Sequence, residues 1–473
     1  MTGWNNNGTG DTVLMPQRWL TFHSAVAVLC LTYVWRLQDI IPLFNALQVV
    51  SLATLGALAL FVVQGLYRNF ERASRNRGFR IAGFILLLVI ASVPGGIYMG
   101  NSLEYLIADF SKTFMLMVLI AVGVRGAANL ERFMLVNIAG AAIYCFIAAR
   151  GEMSDGRLSH LIYYDANDLG MLVVCTLPFC VYFMRRGTGL LSKLVALGAL
   201  PLLLLAFVRS GSRGAFLGLI AVGIFMLFRF SAISRTSRIL TLAAAVIAMT
   251  AVGGDQYLDL MKTLLTPTND YNWVGNQDTG RMEVWKRGVG YMLRRPVLGV
   301  GADNFYVAEG TLSERGRQQQ FGRGFKWSAA HNSFVQIGAE LGIPGLVAFI
   351  AMLIVAFRTG LRSSARSHDP DSLTQHALGQ AFAATVIGYV VTAFFLSQAY
   401  GAFLYMIVGL IIAFDTSRVP RTATPLQVHA HLPLRPPGRG GLIRTQNLPA
   451  SPTHCICRSV SVCVCGAAHR VAR

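Results

Sequence analysis

Charge is what this sequence has little of. Only 13% of its residues are Asp, Glu, Lys or Arg, against roughly 25% in a soluble domain. Hydrophobic residues make up 54%, and the mean hydropathy is +0.52. Those values exclude a water-soluble globule. The period-2 alternation of a membrane β-barrel is also missing, which leaves helix as the state for apolar runs that must satisfy their own backbone in lipid. A disulfide framework is missing too. Cys30, Cys145, Cys175 and Cys180 sit in or beside apolar runs, where they are expected to pack. The polar start MTGWNNNGTGDTVLMPQ lacks a cleavable signal pattern, so the first apolar run is expected to be an uncleaved anchor.

What is present is a series of about twelve apolar segments, near 19–35, 45–66, 80–97, 103–124, 131–149, 167–184, 190–208, 213–230, 238–254, 331–357, 378–397 and 400–416. Many reach the roughly 20 residues that span a bilayer. The expected fold class is an all-α polytopic membrane protein of about 12 transmembrane helices, with one large outer loop at about 255–330 containing an amphipathic helix. The expected organisation is a loose leader (1–18), a membrane domain (19–417) and a disordered tail rich in Pro, Arg and Gly (418–473).

The net charge of +19 fits anionic lipid better than nucleic acid, because basic residues gather in alternate loops. RNFERASRNRGFR (68–80), RGAANLER (125–132), RRGTGLLSK (185–193), RFSAISRTSR (229–238) and RTGLRSSAR (358–366) are all Arg-rich. PGGIYMGNSL (94–103) and the join at Ser397–Tyr400 carry neither Lys nor Arg. The expected topology places both termini in the cytoplasm and the long loop outside. The ten Lys and Arg of that loop do not count against it, since long translocated loops escape the charge rule.

Arg150, Arg157, Arg209 and Arg213 are then conspicuous at outer span ends. Either they snorkel to headgroups or they meet an anionic ligand. RSGSRGA (209–215) joins two spans by a tight turn; it reads as an anion site at a helix N-terminus or as a capped hairpin. In DTGRMEVWKRGVGYMLRRPVLGVGADNF (278–305), Val284, Val289 and Met292 fall near helical spacing among five basic residues. That is an amphipathic helix expected on the outer membrane surface, ended by Pro296. LGVGADNF lacks the third glycine and the strand–turn–helix context of a dinucleotide loop. In WSAAHNSFVQIGAELGIPGL, His331 marks the return to the membrane. Glu340, nine residues on, falls on the opposite helix face and roughly 13 Å further along. It is expected to hold a bend at Gly342–Gly345, not to pair with His331.

SGSRGA (210–215), TGRMEVW (279–285), RPVLGVGADNF (295–305), AHNSFVQIGAELGIPG (330–345) and YYDANDLG (163–170) follow an order and spacing that resembles the O-antigen ligase / Wzy polymerase superfamily, over roughly residues 20–417. The resemblance implies an inverting, metal-independent GT-C type glycosyltransferase without a cofactor. It would sit in the bacterial inner membrane with its active site periplasmic, taking a glycan from undecaprenyl diphosphate. The acceptor would be lipid A core, a protein or another glycan; membrane lipids surround the enzyme and nucleic acid is not a partner. It implies catalytic roles for Arg213, Arg281 and His331, and supporting substrate contacts from Arg209, Asp165, Asn167, Asp168 and Glu340. A ligase and a repeat-unit polymerase both fit. Outside the family, a transporter could use Lys112 and Glu340, but inverted repeats are not evident. HDPD (368–371) has a D-x-D spacing in too short an inner loop for a soluble transferase domain. Cys455-x-Cys457 and Cys463-x-Cys465 are either a zinc site or a chance feature of the tail.

Overall fold

In the computed structural model, the described residues are 21–154, 157–158, 164–265, 280–317, 327–362 and 370–417. The leader, the tail with its four cysteines and the side chains of HDPD lie outside them. A helix occupies each of the twelve expected segments: α1 Phe22–Val34, α2 Val49–Val63, α3 Arg77–Gly95, α4 Met99–Gly123, α5 Ala127–Ala148, α6 Ala166–Phe183, α7 Leu190–Ser210, α8 Arg213–Arg229, α9 Arg235–Lys262, α12 Ser333–Leu361, α13 Pro370–Ala393 and α14 Ala402–Ser417. Between α9 and α12 lie the amphipathic α10 Arg281–Arg294 and the short α11 Phe305–Thr311. The only strands among the described residues are Met153–Ser154 and Arg157–Leu158, paired antiparallel. The protein is therefore an all-α polytopic membrane protein. Among the described residues, eight helices are long and apolar enough to cross a bilayer. α2 makes a ninth candidate only with its continuation, Leu66–Ser74, which is bent by 77°.

The helix ends sort into two groups. At one end the joins are basic and tied by ordinary polar pairs. Arg185 bridges Glu131 at 2.7 Å, Asn76 donates to Asp415 at 2.7 Å, and Arg125 donates to Thr416. At the other end lie 34–37, 95–102, 149–154, 157–158, 164–165, 209–213, 295–305, 327–333 and 394–401. Tyr164 donates there to the Val34 carbonyl at 2.6 Å, and Ser102 to the Ala302 carbonyl at 2.7 Å. α14 is buried along nearly its whole length, so it lies at the centre of the bundle, whereas α9 is mostly exposed at the rim. Cys30, Cys145, Cys175 and Cys180 are buried free thiols, as their apolar settings imply.

The structure shifts two sequence expectations. α9 continues past 254 to Lys262 through a left-handed Gly254 (φ 58°), so the start of the long loop is helical. α10 packs along the first turns of α12 instead of lying alone on a surface. Val284, Gly288 and Tyr291 face inward, Met292 reaches Gly338, and Val289 turns outward. Gly288 sets this rotation: a Cβ there would come within 2.4 Å of Val335.

α12 is broken at Gly342, whose φ of 70° no side-chain-bearing residue adopts easily. A break inside a membrane helix strands carbonyls that lipid cannot satisfy. The loop 296–301 satisfies them. Val300 N–H donates to Ala339 O at 2.8 Å and Gly301 N–H to Glu340 O at 3.0 Å, while Ile343 N–H donates to Pro296 O at 2.8 Å. Gly299 must be glycine on two counts: its φ is 62°, and a Cβ would lie 2.4 Å from Ala339 O. The Glu340 carboxylate, 1% exposed, accepts from Phe305 N–H at 3.1 Å and faces the Tyr400 hydroxyl. Glu340 thus holds the loop against the bend. Gly299→Ala is expected to destabilise the protein by about 2–3 kcal/mol. Gly290→Ala, with nothing within 4 Å of the new methyl, should instead stabilise α10 by about 0.5–1 kcal/mol. Thermal unfolding in detergent measures both, and equal melting temperatures would refute the docking account.

Candidate active site

Four helices begin in the loop-rich end, packed as two pairs, α6 with α8 and α10 with α12. The first is α6. Asp165 is its N-cap, accepting from the N–H groups of Asn167 and Asp168, both at 2.7 Å, while the Asp165 N–H donates to the Asp168 carboxylate at 3.2 Å. This reciprocal capping box uses two of the sequence-selected acids to fix a helix start. Asn167 accepts from Arg157 Nη2 at 2.9 Å, and Arg157 Nε donates to the Ser210 carbonyl at 3.2 Å. Arg157 therefore ties α6 to the mid-chain turn.

That turn opens α8, the second helix. Gly211 is left-handed (φ 56°), and a Cβ would strike Arg157 and Leu260 within 3 Å. Ser212 caps α8 by accepting from Ala215 N–H at 3.2 Å. Arg213 is the first helical residue, and its Nη1 donates to Thr263 Oγ1 at 2.9 Å. Arg209, one residue before the end of α7, donates to the Ala149 carbonyl. Gly170 of α6 lies so close that a Cβ would come within 2.6 Å of Ala215 and 3.1 Å of Ser212.

The third helix is α10, opened by Arg281 behind the Gly280 N-cap. One turn on, Trp285 Nε1 donates to the Ala330 carbonyl at 2.9 Å. Arg287 forms a paired contact with Glu309 of α11, 2.6 Å at its closest, and Tyr291 donates to the same carboxylate at 2.8 Å. Burial and Glu309 push the Tyr291 phenol up, so it stays a neutral donor. These bonds fix the helix that carries Arg281.

The fourth helix is α12. Asn332 caps it by accepting from Phe334 and Val335 N–H groups at 2.9 and 3.1 Å. His331, just before the cap, is left-handed (φ 45°), a conformation costing an L-residue about 1–2 kcal/mol. Two hydrogen bonds hold it. Its N–H donates to Ser397 Oγ at 2.8 Å, and the preceding carbonyl takes the Trp285 indole N–H.

Segment 394–401 joins three of these starts, those of α8, α12 and α6. Phe395 packs on Gly214, beside Arg213. Ser397 holds His331. Gln398 donates through Nε2 to Asp168 at 2.9 Å and through its N–H to Ser333 Oγ at 3.0 Å. The structure thus places the backbones of Arg213 and His331 at one short join, with Asp168 held to it by Gln398 and Asp165, Asn167 and Arg209 on the adjoining helix ends; Arg281 is linked to it only through Trp285, one turn on, which holds the residue before His331. Glu340 lies deeper, at the break in α12. Sequence reasoning missed Ser397, Gln398 and the tie made by Trp285. The only trace of the first two is a polar pair, SQ, inside the otherwise apolar FFLSQAYG (394–401).

Arg213 and Arg281 both occupy the first position of a helix, where the positive end of the helix dipole disfavours a cation. Arg77 and Arg235 also open helices, but they are exposed. Arg213 and Arg281 are partly buried, so the repulsion is less screened. A partly buried guanidinium at a helix N-terminus is a favourable setting for an anion.

A many-helix membrane protein with a polar, cationic site at one end is the class this architecture defines. The O-antigen ligase family model matches residues 170–350, which supports the likeness to the O-antigen ligase / Wzy superfamily over that stretch. The matched stretch contains Arg213, Arg281, His331 and Glu340, whereas Asp165, Asn167 and Asp168 precede it. No curated protein matches the chain significantly.

For the catalytic role proposed for His331 below, Ser397→Ala should free its backbone and lower transfer about 10- to 100-fold, the cost of a small displacement of a reacting group. Ser397→Thr, which keeps the acceptor oxygen, should restore most of it. Initial rates of glycan transfer by the purified variants decide the matter; a Ser397→Ala enzyme at wild-type rate would mean that this bond does not position the histidine.

Proposed function

We propose that the protein transfers a glycan from undecaprenyl diphosphate to an acceptor hydroxyl at the periplasmic face of the bacterial inner membrane. The observation that carries this reading is that Arg213 and His331 lie at one join, with Arg281 one turn from the Trp285 that holds the residue before His331, in a chain whose residues 170–350 match the O-antigen ligase family. The basic joins at the opposite end support cytoplasmic placement of that end and of both termini. The membrane domain then runs from 19 to 417, with a leader and tail on the inner side.

In the proposed reaction the acceptor oxygen attacks the anomeric carbon from the face opposite the diphosphate. The new C–O bond forms with inversion as the bond to the diphosphate oxygen breaks. The hydroxyl proton passes to His331, and undecaprenyl diphosphate leaves with the electron pair. Arg213, Arg281 and the helix N-termini stabilise the charge growing on the phosphate oxygens, as fixed donors in a poorly hydrated site and without a metal. Asp165, Asn167, Asp168, Arg209 and Glu340 serve as the frame: each is engaged in holding a helix start, a turn or the broken α12. A transporter is less well supported, because Lys112 is exposed while Glu340 is buried, so the two do not line one path.

The test is transfer in vitro from a purified polyprenyl-diphosphate glycan to candidate acceptors, with chelator present. His331→Ala should lose about 10²–10⁴-fold in rate and still bind donor. Arg213→Lys should lose about 10²-fold, because an ammonium lacks the forked donors. Unimpaired turnover by His331→Ala removes the base assignment, and full activity of Arg213→Lys reduces that residue to a surface cation. A ladder of repeats among the products identifies a polymerase; a single capped acceptor identifies a ligase.

A further inference from the structure

Beside this site is a second constellation that the transfer step leaves unused. Trp327 lies four residues before His331 and is 45% exposed. Its indole rests on Gly310 of α11, where a Cβ would come within 2.3 Å of the ring. The Tyr306 ring lies 6.1 Å away, tilted by only 31°. The Tyr306 hydroxyl donates to Asn101 Oδ1 at 2.7 Å, and Asn101 Nδ2 donates to the Asp303 carbonyl at 2.7 Å. Asp303 has a left-handed backbone (φ 57°), uncommon for a residue with a side chain. Its carboxyl is pushed up to about 6, chiefly by burial, so at neutral pH it is mostly ionised and accepts hydrogen bonds.

Packing alone calls for none of this. A half-exposed indole gains little stability, and a strained carboxylate beside it costs some. The combination fits a pyranose ring. The C–H face of a sugar is weakly positive and settles on an electron-rich aromatic face, while its hydroxyls donate to a carboxylate and exchange hydrogen bonds with an amide. A membrane-interface aromatic would need the rings but not Asp303 and Asn101.

We propose that Trp327, Tyr306, Asn101 and Asp303 form a sugar subsite, holding one pyranose ring of a glycan next to the position where transfer occurs. This rests on the glycosyltransferase reading above. The Trp285–Ala330 hydrogen bond ties the segment between Trp327 and His331 to α10, so a ring bound here would be held in a fixed relation to the proposed base. Donor and acceptor glycans present the same ring chemistry, and kinetics separate them.

The experiment uses the full chain in lipid nanodiscs. Trp327→Ala, Asp303→Asn and Gly310→Ala are each assayed twice, with varied donor at saturating acceptor and with varied acceptor at saturating donor. Gly310→Ala displaces the indole without deleting it, and Trp327→Phe keeps a flat ring as the rescue. The expected result is a KM about tenfold higher for one of the two substrates, the size of a single lost ring contact, with kcat little changed and Trp327→Phe close to wild type. A rise in donor KM assigns the ring to the donor, and a rise in acceptor KM assigns it to the acceptor. Unchanged KM values in folded variants overturn the subsite, as does a uniform loss of kcat for all substrates. If His331→Ala stays active the base assignment fails; unchanged KM values alongside an inactive His331→Ala remove the subsite alone.

Discussion

The break in α12 at Gly342 governs the arrangement around it. A helix interrupted within a membrane leaves peptide groups that neither lipid nor the helix can satisfy, so another backbone must come to them. Here that backbone is 296–301, and it cannot approach at a distance, because hydrogen bonds of 2.8–3.0 Å require contact. Pro296 ends α10, so docking this loop also fixes where α10 finishes and how it lies along α12. Through α10 the same contact sets the height of Trp285 beside Ala330, the residue before His331, and of Arg281 one turn earlier. On the other side it holds Ser92, Ser102 and Asn101 through Ala302, Asp303 and Asn304. One buried requirement for hydrogen bonding is thereby converted into the placement of groups from three separate stretches of chain.

Most of the architecture was legible in the sequence because lipid leaves few choices. A run of about 20 apolar residues has helix as its one low-cost state, and each of the twelve runs is helical. RSGSRGA, TGRMEVW and AHNS were legible as well, since an arginine or histidine at the edge of an apolar run has to be explained by something local. The partners of those residues were not legible. Gln398 and Asp168 are 230 positions apart, and His331 and Ser397 are 66 apart. No periodicity links such pairs; only the packing of α6, α12 and α13 does. The rotation of α10 was hidden for a similar reason. Its hydrophobic spacing admitted two faces, and Gly288, which decides between them, gives no hydrophobic signal at all.

Glu340 shows how a residue can be found correctly and still be open in role. The sequence marked a carboxyl in an apolar run, and the spacing separated it from His331. In the structure its oxygen takes the Phe305 N–H, the first helical amide of α11, which has no partner within its own helix. Through that bond Glu340 closes the loop at its far end much as Val300 and Gly301 close it at the near end. Its burial is then a consequence of the dock and does not require a ligand.

Local costs are unevenly distributed over the molecule. The basic end uses conventional means: Arg185 with Glu131, Asn76 with Asp415, and helix-opening arginines left in contact with solvent. The opposite end gathers a left-handed histidine, a left-handed aspartate, a broken helix and two partly buried arginines set against helix dipoles. Each could be relieved by a commonplace substitution, such as glycine at the left-handed positions or an acid at a helix start. Stability alone would favour those changes. Their concentration at this one end, opposite the conventionally tied basic end, is what supports reading it as the functional end of the molecule.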